Sequence, residues 1–131
     1  AGAAGAGGVA PPTAREAAAA AKVLSQQIGH RRGEAEAMHV LATIYADCSA
    51  FDECMQAAEE ALDLYLALKD KRMEALELLS MATWSIQRGK PELALADAED
   101  ALDIYRLLGS PREADAAAAL CAAFAARGER G

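Results

Sequence analysis

The chain has 131 residues, of which 53% are hydrophobic and 25% charged, which is enough apolar material for one compact domain or a short repeat array. Its net charge of -7 argues against a nucleic-acid binder, because such proteins need clustered lysine and arginine to replace phosphate counterions. Charged residues recur every few positions from Arg15 onward, so no apolar run approaches the roughly 20 residues that cross a bilayer, and a soluble chain without a membrane span is expected.

The first thirteen residues, AGAAGAGGVAPPT, are predicted to form a linker. Glycine resists helix formation and the Pro11-Pro12 pair cannot lie inside a helix, so ordered structure should begin just after them. Thr13 is a suitable N-cap for the first helix. The repeat domain is then predicted to span 14–128, with 129–131 as a tail.

An internal repeat appears when the sequence is aligned with itself at a shift of about 40 residues. The segment ALDLY at 61–65 falls on ALDIY at 101–105, and Glu34-Ala35 falls on Glu74-Ala75. After Leu108 the shift becomes 39, because the turn is one residue shorter. This register divides the domain into a half-unit at 14–32, full units at 33–71 and 72–110, and a half-unit at 111–128.

Each period contains two helical patterns separated by breakers. The first helix carries apolar residues at i, i+3, i+4 and i+7, which form the stripes Met38, Leu41, Ala42, Tyr45; Leu78, Met81, Ala82, Ser85; and Ala117, Leu120, Cys121, Phe124. The second helix carries Cys54, Ala58, Ala61, Leu62, Tyr65, Leu68, repeated as Ala94, Ala98, Ala101, Leu102, Tyr105, Leu108. Gly89 and Gly128 stand where helices end, and Pro91 stands where one begins.

Six helices are predicted, at about 14–29, 33–48, 51–69, 72–88, 91–108 and 111–127, and no strand. Turns of two to four residues force neighbouring helices to be antiparallel. Alanine supplies 35 residues and aromatics only 5%, so the helices should approach each other closely. The predicted fold class is an all-α solenoid of antiparallel helix hairpins.

These residues resemble the tetratricopeptide repeat, in which a leucine and a small residue precede a tyrosine in the first helix, and two spaced alanines follow in the second. The residues that carry the resemblance are Leu41-Ala42, Tyr45, Cys54, Ala58, Ala61, Met81-Ala82, Gly89, Ala94, Ala98 and Ala101. The period of about 40 exceeds the usual 34, and with ALDLYLALKDKRMEA and ALDIYRLLGSPREA it resembles the long-repeat subclass of kinesin light chains and cell-polarity adaptors. Ser85 departs from the pattern, with Trp84 beside it as a candidate substitute, and Ala58 and Ala98 replace a bulky aromatic.

The resemblance implies a right-handed superhelix whose first helices line a concave groove. The residues that would face a protein or peptide partner are Glu36, His39, Thr43 and Asp47, then Leu76, Leu79, Thr83 and Gln87, then Asp115, with Ala118 and Ala122 beside it. An extended or helical peptide laid against Leu76 and Leu79 is one interpretation. The alternative is that these leucines pack against neighbouring helices. Members of this family that clamp a partner's terminal carboxylate use lysine, arginine and asparagine side chains. The matching positions here are His39, Thr43, Leu76 and Ser80, so this clamp is not expected.

The second helices are acidic, with Glu59, Glu60 and Asp63 in one and Asp97, Glu99, Asp100 and Asp103 in the next. A solvated convex face is the simpler interpretation, and docking of a basic partner is the alternative. Basic residues gather at the turns instead, where the helix dipole favours them.

Catalysis is not expected, and no cofactor or metal site is predicted. The two histidines are His30, in a turn, and His39, which shares a helix face with Glu36 and Thr43; a groove-lining role for His39 is favoured over a general base. Cys48, Cys54 and Cys121 have neither disulfide nor zinc spacing, so they should be free and buried. Free cysteines favour a reducing compartment such as the cytoplasm or an organelle matrix or stroma.

The outermost half-units would leave apolar residues without partner helices, namely Val23 and Leu24 at one end and Leu120 and Phe124 at the other. The chain is then either part of a longer array or a small subunit whose ends are covered in a multi-protein assembly. The predicted function is a non-catalytic scaffold that acts as an adaptor or a structural subunit of a larger complex. The alternatives are a peptide-binding, cargo-recognition domain in a longer repeat protein and, more remotely, an accessory subunit of an enzyme.

Overall fold

The computed structural model describes residues 13–130, and the chain forms six helices and no strand within that range. The helices are α1 (Ala14–Gln27), α2 (Arg31–Asp47), α3 (Phe51–Ala67), α4 (Lys71–Gln87), α5 (Pro91–Leu108) and α6 (Glu113–Arg130). Each helix packs against the next, and α4 also packs against α6. The predicted all-α solenoid is therefore confirmed. The predicted linker lies outside the described residues except for Thr13.

The five turns between these helices share one backbone geometry. Each contains a single residue with positive φ, and these are Gly29, Ser49, Lys69, Gly89 and Gly109. The N–H of the following residue donates to the carbonyl five residues earlier, as from Asp70 to Tyr65 at 3.1 Å and from Lys90 to Ser85 at 2.8 Å. Such bonds satisfy the last carbonyls of a helix and reverse the chain. The repeat of about 40 residues therefore consists of two helix-turn steps of about 20.

Several helix starts follow directly from the sequence. The Thr13 hydroxyl accepts a hydrogen bond from the Glu16 N–H at 3.1 Å, and Pro91 occupies the first turn of α5, as both were predicted to do. Asp70 caps α4 by accepting from the Met73 N–H at 3.1 Å. His30 caps α2 through Nδ1, which accepts from the Gly33 N–H at 3.0 Å. Capping satisfies backbone donors that a helix leaves unpaired at its start.

Small side chains form much of the core. The alanines at the helix contacts, among them Ala42, Ala58, Ala82 and Ala98, have no solvent exposure. The largest fully buried side chains are Tyr65 and Tyr105, one at the C-terminal end of each complete second helix. Alanine lets helix backbones approach closely, and each tyrosine fills the wider space near the turn.

Three sequence-based expectations need correction. Gly128 does not end a helix, because α6 continues through it to Arg130, past the boundary predicted at 128; the chain makes no turn there that would require a left-handed residue. Of the three cysteines, only Cys54 is buried. Cys48 is exposed because it caps the end of α2, and Cys121 is exposed because no described helix covers its side of α6, unlike the equivalent Ala42 and Ala82.

The turn geometry leads to a first test by substitution. Lys69 has φ 57°, which costs an L-residue roughly 1–2 kcal/mol, whereas glycine adopts it freely. We expect Lys69→Gly to raise the free energy of unfolding by about 0.5–1 kcal/mol and Gly89→Ala to lower it by about 1 kcal/mol, measured by urea unfolding. Gly128→Ala is the control and should cause no loss, since Gly128 lies within a helix. Destabilisation by Lys69→Gly would contradict this account of the turns.

Candidate protein-binding face

The predicted groove residues lie on the first helices of the hairpins, α2, α4 and α6. These helices are neighbours, because a His39 side chain on α2 contacts α4 and because α4 packs against α6. We call the surface formed by the predicted groove residues the first-helix face. Eight of its residues are exposed, and they are Glu36, Thr43, Asp47, Thr83, Gln87, Asp115, Ala118 and Ala122. His39, Leu76 and Leu79 are partly buried.

The two leucines of this face combine features of both interpretations drawn from the sequence. Leu79 packs against the core cluster that contains Leu78, Leu102 and Tyr105, and part of its side chain remains accessible. Leu76 is also partly buried but lies outside that core cluster. The middle of the face therefore offers a limited apolar surface that is anchored in the core.

The polar groups of the face are mostly hydrogen-bond acceptors. Glu36, Asp47 and Asp115 contribute carboxylates, and the hydroxyls of Thr43 and Thr83 donate to the carbonyls of the residues four positions earlier, at 3.0 and 3.2 Å. Each of these hydroxyl oxygens can still accept a hydrogen bond. A complementary ligand would have to supply donors or positive charge.

A buried glutamate that sequence analysis did not identify joins α2 to α4. Glu77 is only 2% exposed, and its two carboxylate oxygens lie 2.9 and 3.0 Å from His39 Nδ1. The His39 ring also faces Trp84, with ring centroids 5.9 Å apart. Trp84 is buried in a core cluster that also contains Met38 and Met81. The adjacent Ser85, which replaces the repeat's aromatic residue, is fully buried. His39 thus connects the accessible face to a buried carboxyl group.

The repeat register makes Glu77 an exception. The equivalent positions in the neighbouring first helices are Ala37 and Ala116, and both are buried. A small residue therefore fits this position, and packing does not require a carboxylate there. The only sequence signal for Glu77 was this departure from alanine in the aligned repeats.

The His39–Glu77 contact raises the pKa of His39, and Glu77 also contributes to the raised pKa values of two neighbouring buried groups. The hydrogen bond to Glu77 raises the pKa of His39 above its usual 6.5, although burial opposes the effect. Burial, reinforced by Glu77, raises the pKa of Cys54 to about 11 and that of Tyr65 to about 12. The buried Cys54 thiol therefore stays protonated near neutral pH, which makes it a poor nucleophile.

The apolar residues predicted at the outer helices are accessible. Val23 is 48% exposed, Leu24 60% and Phe124 45%, whereas Leu120 is partly buried against the core clusters formed by α4, α5 and α6. The Arg127 guanidinium lies 4.9 Å from the centre of the Phe124 ring.

Comparison with known proteins gives no matching family model, curated protein or solved structure. No helix in the described range is long and apolar enough to cross a membrane. Within the same range, no group of three or more His, Cys, Asp or Glu side chains is placed to hold a metal ion.

Proposed function

We propose that this chain is a non-catalytic protein-interaction scaffold, related in type to tetratricopeptide repeats, which binds a segment of a partner protein on the first-helix face. The His39–Glu77 pair is the observation that carries the proposal. Burying an ionisable pair contributes little to stability compared with apolar packing, and the neighbouring repeats use alanine at the position of Glu77. Packing does not require a carboxylate at this position, so we attribute to Glu77 the role of fixing the orientation of the His39 ring at the binding face.

The chemistry of the face suggests the kind of segment it accepts. Leu76 and Leu79 would contact apolar side chains spaced along a helix or an extended peptide. The carboxylates of Glu36, Asp47 and Asp115 would pair with basic side chains of the partner that flank these apolar residues. His39 would hydrogen-bond the partner through Nε2, since Nδ1 is held by Glu77.

The exposed apolar residues of α1 and α6 support a place in a larger assembly, as an adaptor or a structural subunit. Val23 and Leu24 on α1 and Phe124 on α6 would be covered there by other chains. The exposed thiols of Cys48 and Cys121 agree with a reducing compartment.

A peptide-selection experiment tests the site. Peptides would be selected from a random library on the unaltered protein, and their affinities would then be measured by fluorescence anisotropy. We expect Leu76→Glu combined with Leu79→Glu to weaken binding at least about tenfold, because two charges would enter the apolar contact.

The matched control places the same substitutions on α5, as Leu93→Glu with Leu107→Glu. These leucines are 47% and 88% exposed, so their replacement should leave both fold and binding unchanged. Circular dichroism would verify helicity in both variants. Loss of binding in the α5 variant, with retention in the first-helix variant, would place the site elsewhere.

A further inference from the structure

A shallow cleft separates the second helices α3 and α5 where they meet the start of α4. It has a volume of about 380 Å³, within the roughly 300–1,000 Å³ of ligand pockets. Its apolar lining includes Leu62 and Leu66 from α3 and Ile104 from α5, and two aspartates, Asp100 and Asp103, line it from α5. We call this the α3–α5 cleft.

The aspartates of the cleft have no cation of their own. Lys71 also lines the cleft, but its Nζ lies 3.1 Å from Glu74, so its ion pair is with that residue and not with the aspartates. No basic side chain in the part of the chain that the structure describes lies within ion-pair distance of Asp100 or Asp103. Burial raises the pKa of the neighbouring Asp97 to about 6, and the charges of Asp100 and Glu59 reinforce the effect. Negative charge is therefore concentrated at this side of the helices.

The preceding repeat shows how the same position is satisfied within the chain. Shifting by 40 residues, Glu60 is the equivalent of Asp100, and Lys22 on α1 is the equivalent of Leu62. Lys22 Nζ lies 3.5 Å from the Glu60 carboxylate. A lysine on the second helix α1 thus forms an ion pair with a glutamate on the following second helix, α3.

A second pair of equivalents completes this comparison. Gln26 on α1 donates a hydrogen bond to Glu34 on α2 at 3.0 Å, whereas the matching residues at the α3–α5 cleft are Leu66 on α3 and Glu74 on α4. Leu66 is 46% exposed. The pocket between α1 and α3 is smaller, at about 170 Å³, and contains the Lys22–Glu60 ion pair. The α3–α5 cleft instead presents leucines beside the carboxylates of Asp100 and Asp103, which form no ion pair among the described residues.

We propose that the α3–α5 cleft binds an arginine side chain from an apolar segment of a partner protein, in the place that Lys22 fills in the preceding repeat. The methylene stem of arginine would lie against Leu62 and Leu66 while the guanidinium binds Asp100 and Asp103. These two carboxylates are three residues apart on one helix and so lie on the same side of it. A planar guanidinium has several donors, which suits two adjacent carboxylates better than a single ammonium group does.

This cleft differs from the first-helix face in its residues and in all of its helices except α4. The first-helix face is carried by α2, α4 and α6, whereas the arginine site combines α3, α5 and the first turns of α4. Neither proposal depends on the other, and substitutions at one site should leave binding at the other unaffected.

The test uses the full 131-residue chain and the peptide N-acetyl-Leu-Arg-Leu-amide, followed by backbone amide NMR shifts. We expect saturable shifts for residues around 62–66 and 100–104. The peptide with citrulline in place of arginine has nearly the same shape without the charge, and it should bind at least about tenfold more weakly. Equal binding of the two peptides, or shifts confined to α2 and α6, would overturn the proposal.

Two variants remove the site in different ways. Asp100→Asn with Asp103→Asn deletes the charges, and Leu62→Lys supplies the cation that the preceding repeat has, so both should weaken arginine binding about tenfold or more. The control, Asp63→Asn with Glu99→Gln, removes two exposed acids from the same helices without touching the cleft. Its affinity should stay within about twofold of the parent. An equal loss in the control would show diffuse charge attraction instead of a site.

Discussion

Replacement of Tyr105 by alanine is expected to lower the free energy of unfolding by about 3–5 kcal/mol, the range for truncating a fully buried aromatic side chain. Tyr105 has no solvent exposure and lies in the core cluster formed by α4, α5 and α6. The surrounding residues include Leu78, Leu102 and the fully buried Ala116. The packed neighbours can only partly refill the space, so the loss should include a cavity contribution. Urea unfolding followed by circular dichroism measures it.

Two controls separate packing from polar effects. The Tyr105 hydroxyl is buried without a hydrogen-bond partner among the described residues, and burial raises its pKa. Tyr105→Phe should therefore leave stability unchanged or slightly higher, because no hydrogen bond is lost. Leu107→Ala, at a side chain 88% exposed, should change stability by less than about 0.5 kcal/mol. A large loss in Tyr105→Phe would reveal a polar contribution in place of packing.

The helices were predictable because their signals are local and repeated. Thr13 and Pro91 marked helix starts, and the stripe of Met38, Leu41 and Ala42 recurs at the spacing of one helix face. The left-handed residues were only partly predictable. Gly89 identified its turn, but Ser49 and Lys69 adopt the same backbone without being glycine, because the repeated turn imposes that conformation on whichever residue occupies the position.

The binding face was harder to predict because side-chain burial depends on neighbours that are distant in sequence. His39 was identified as a groove residue, but its partner lies 38 positions away on another helix. Glu77 belongs to an acidic residue type that is usually exposed, and only the structure shows it to be buried. Cys121 shows the opposite case, since it matches the buried Ala42 in the register but lacks a covering helix in the described range.

The α3–α5 cleft required both kinds of information. Sequence analysis identified the acidic second helices but could not separate a solvated surface from a site. The structure supplies the Lys22–Glu60 contact, and the repeat register then shows that Asp100 lacks the equivalent cation. In a repeated fold, the equivalent position in a neighbouring repeat therefore shows which contact a residue makes when its partner is present.

Removal of the His39 side chain is expected to lower the free energy of unfolding far more than removal of other partly exposed side chains would. His39→Leu introduces the residue that the next repeat carries at Leu79, but it leaves Glu77, 2% exposed, without its bonding partner. Breaking a fully buried pair costs roughly 3–5 kcal/mol, and we expect about 2–3 kcal/mol here because the His39 side chain is 34% exposed.

The double variant His39→Leu with Glu77→Ala gives a decisive comparison. Alanine is the residue found at the equivalent positions 37 and 116, so this variant should regain most of the stability that His39→Leu loses. Urea unfolding of the parent, both single variants and the double variant forms a complete thermodynamic cycle. Additive losses would mean that the two residues do not act as a pair.

The pair should also make stability depend on pH. The pKa of His39 is raised on folding, so the charged ring binds its proton more tightly in the folded state than in the unfolded state. Its contribution is therefore complete below the unfolded value of 6.5 and is lost as pH rises through the higher folded value. We expect the stability difference between the parent and His39→Gln to be largest near pH 6 and to shrink toward pH 9. Because glutamine can still hydrogen-bond but cannot become charged, a difference that stays constant or grows over this window would mean that the imidazolium does not stabilise the fold.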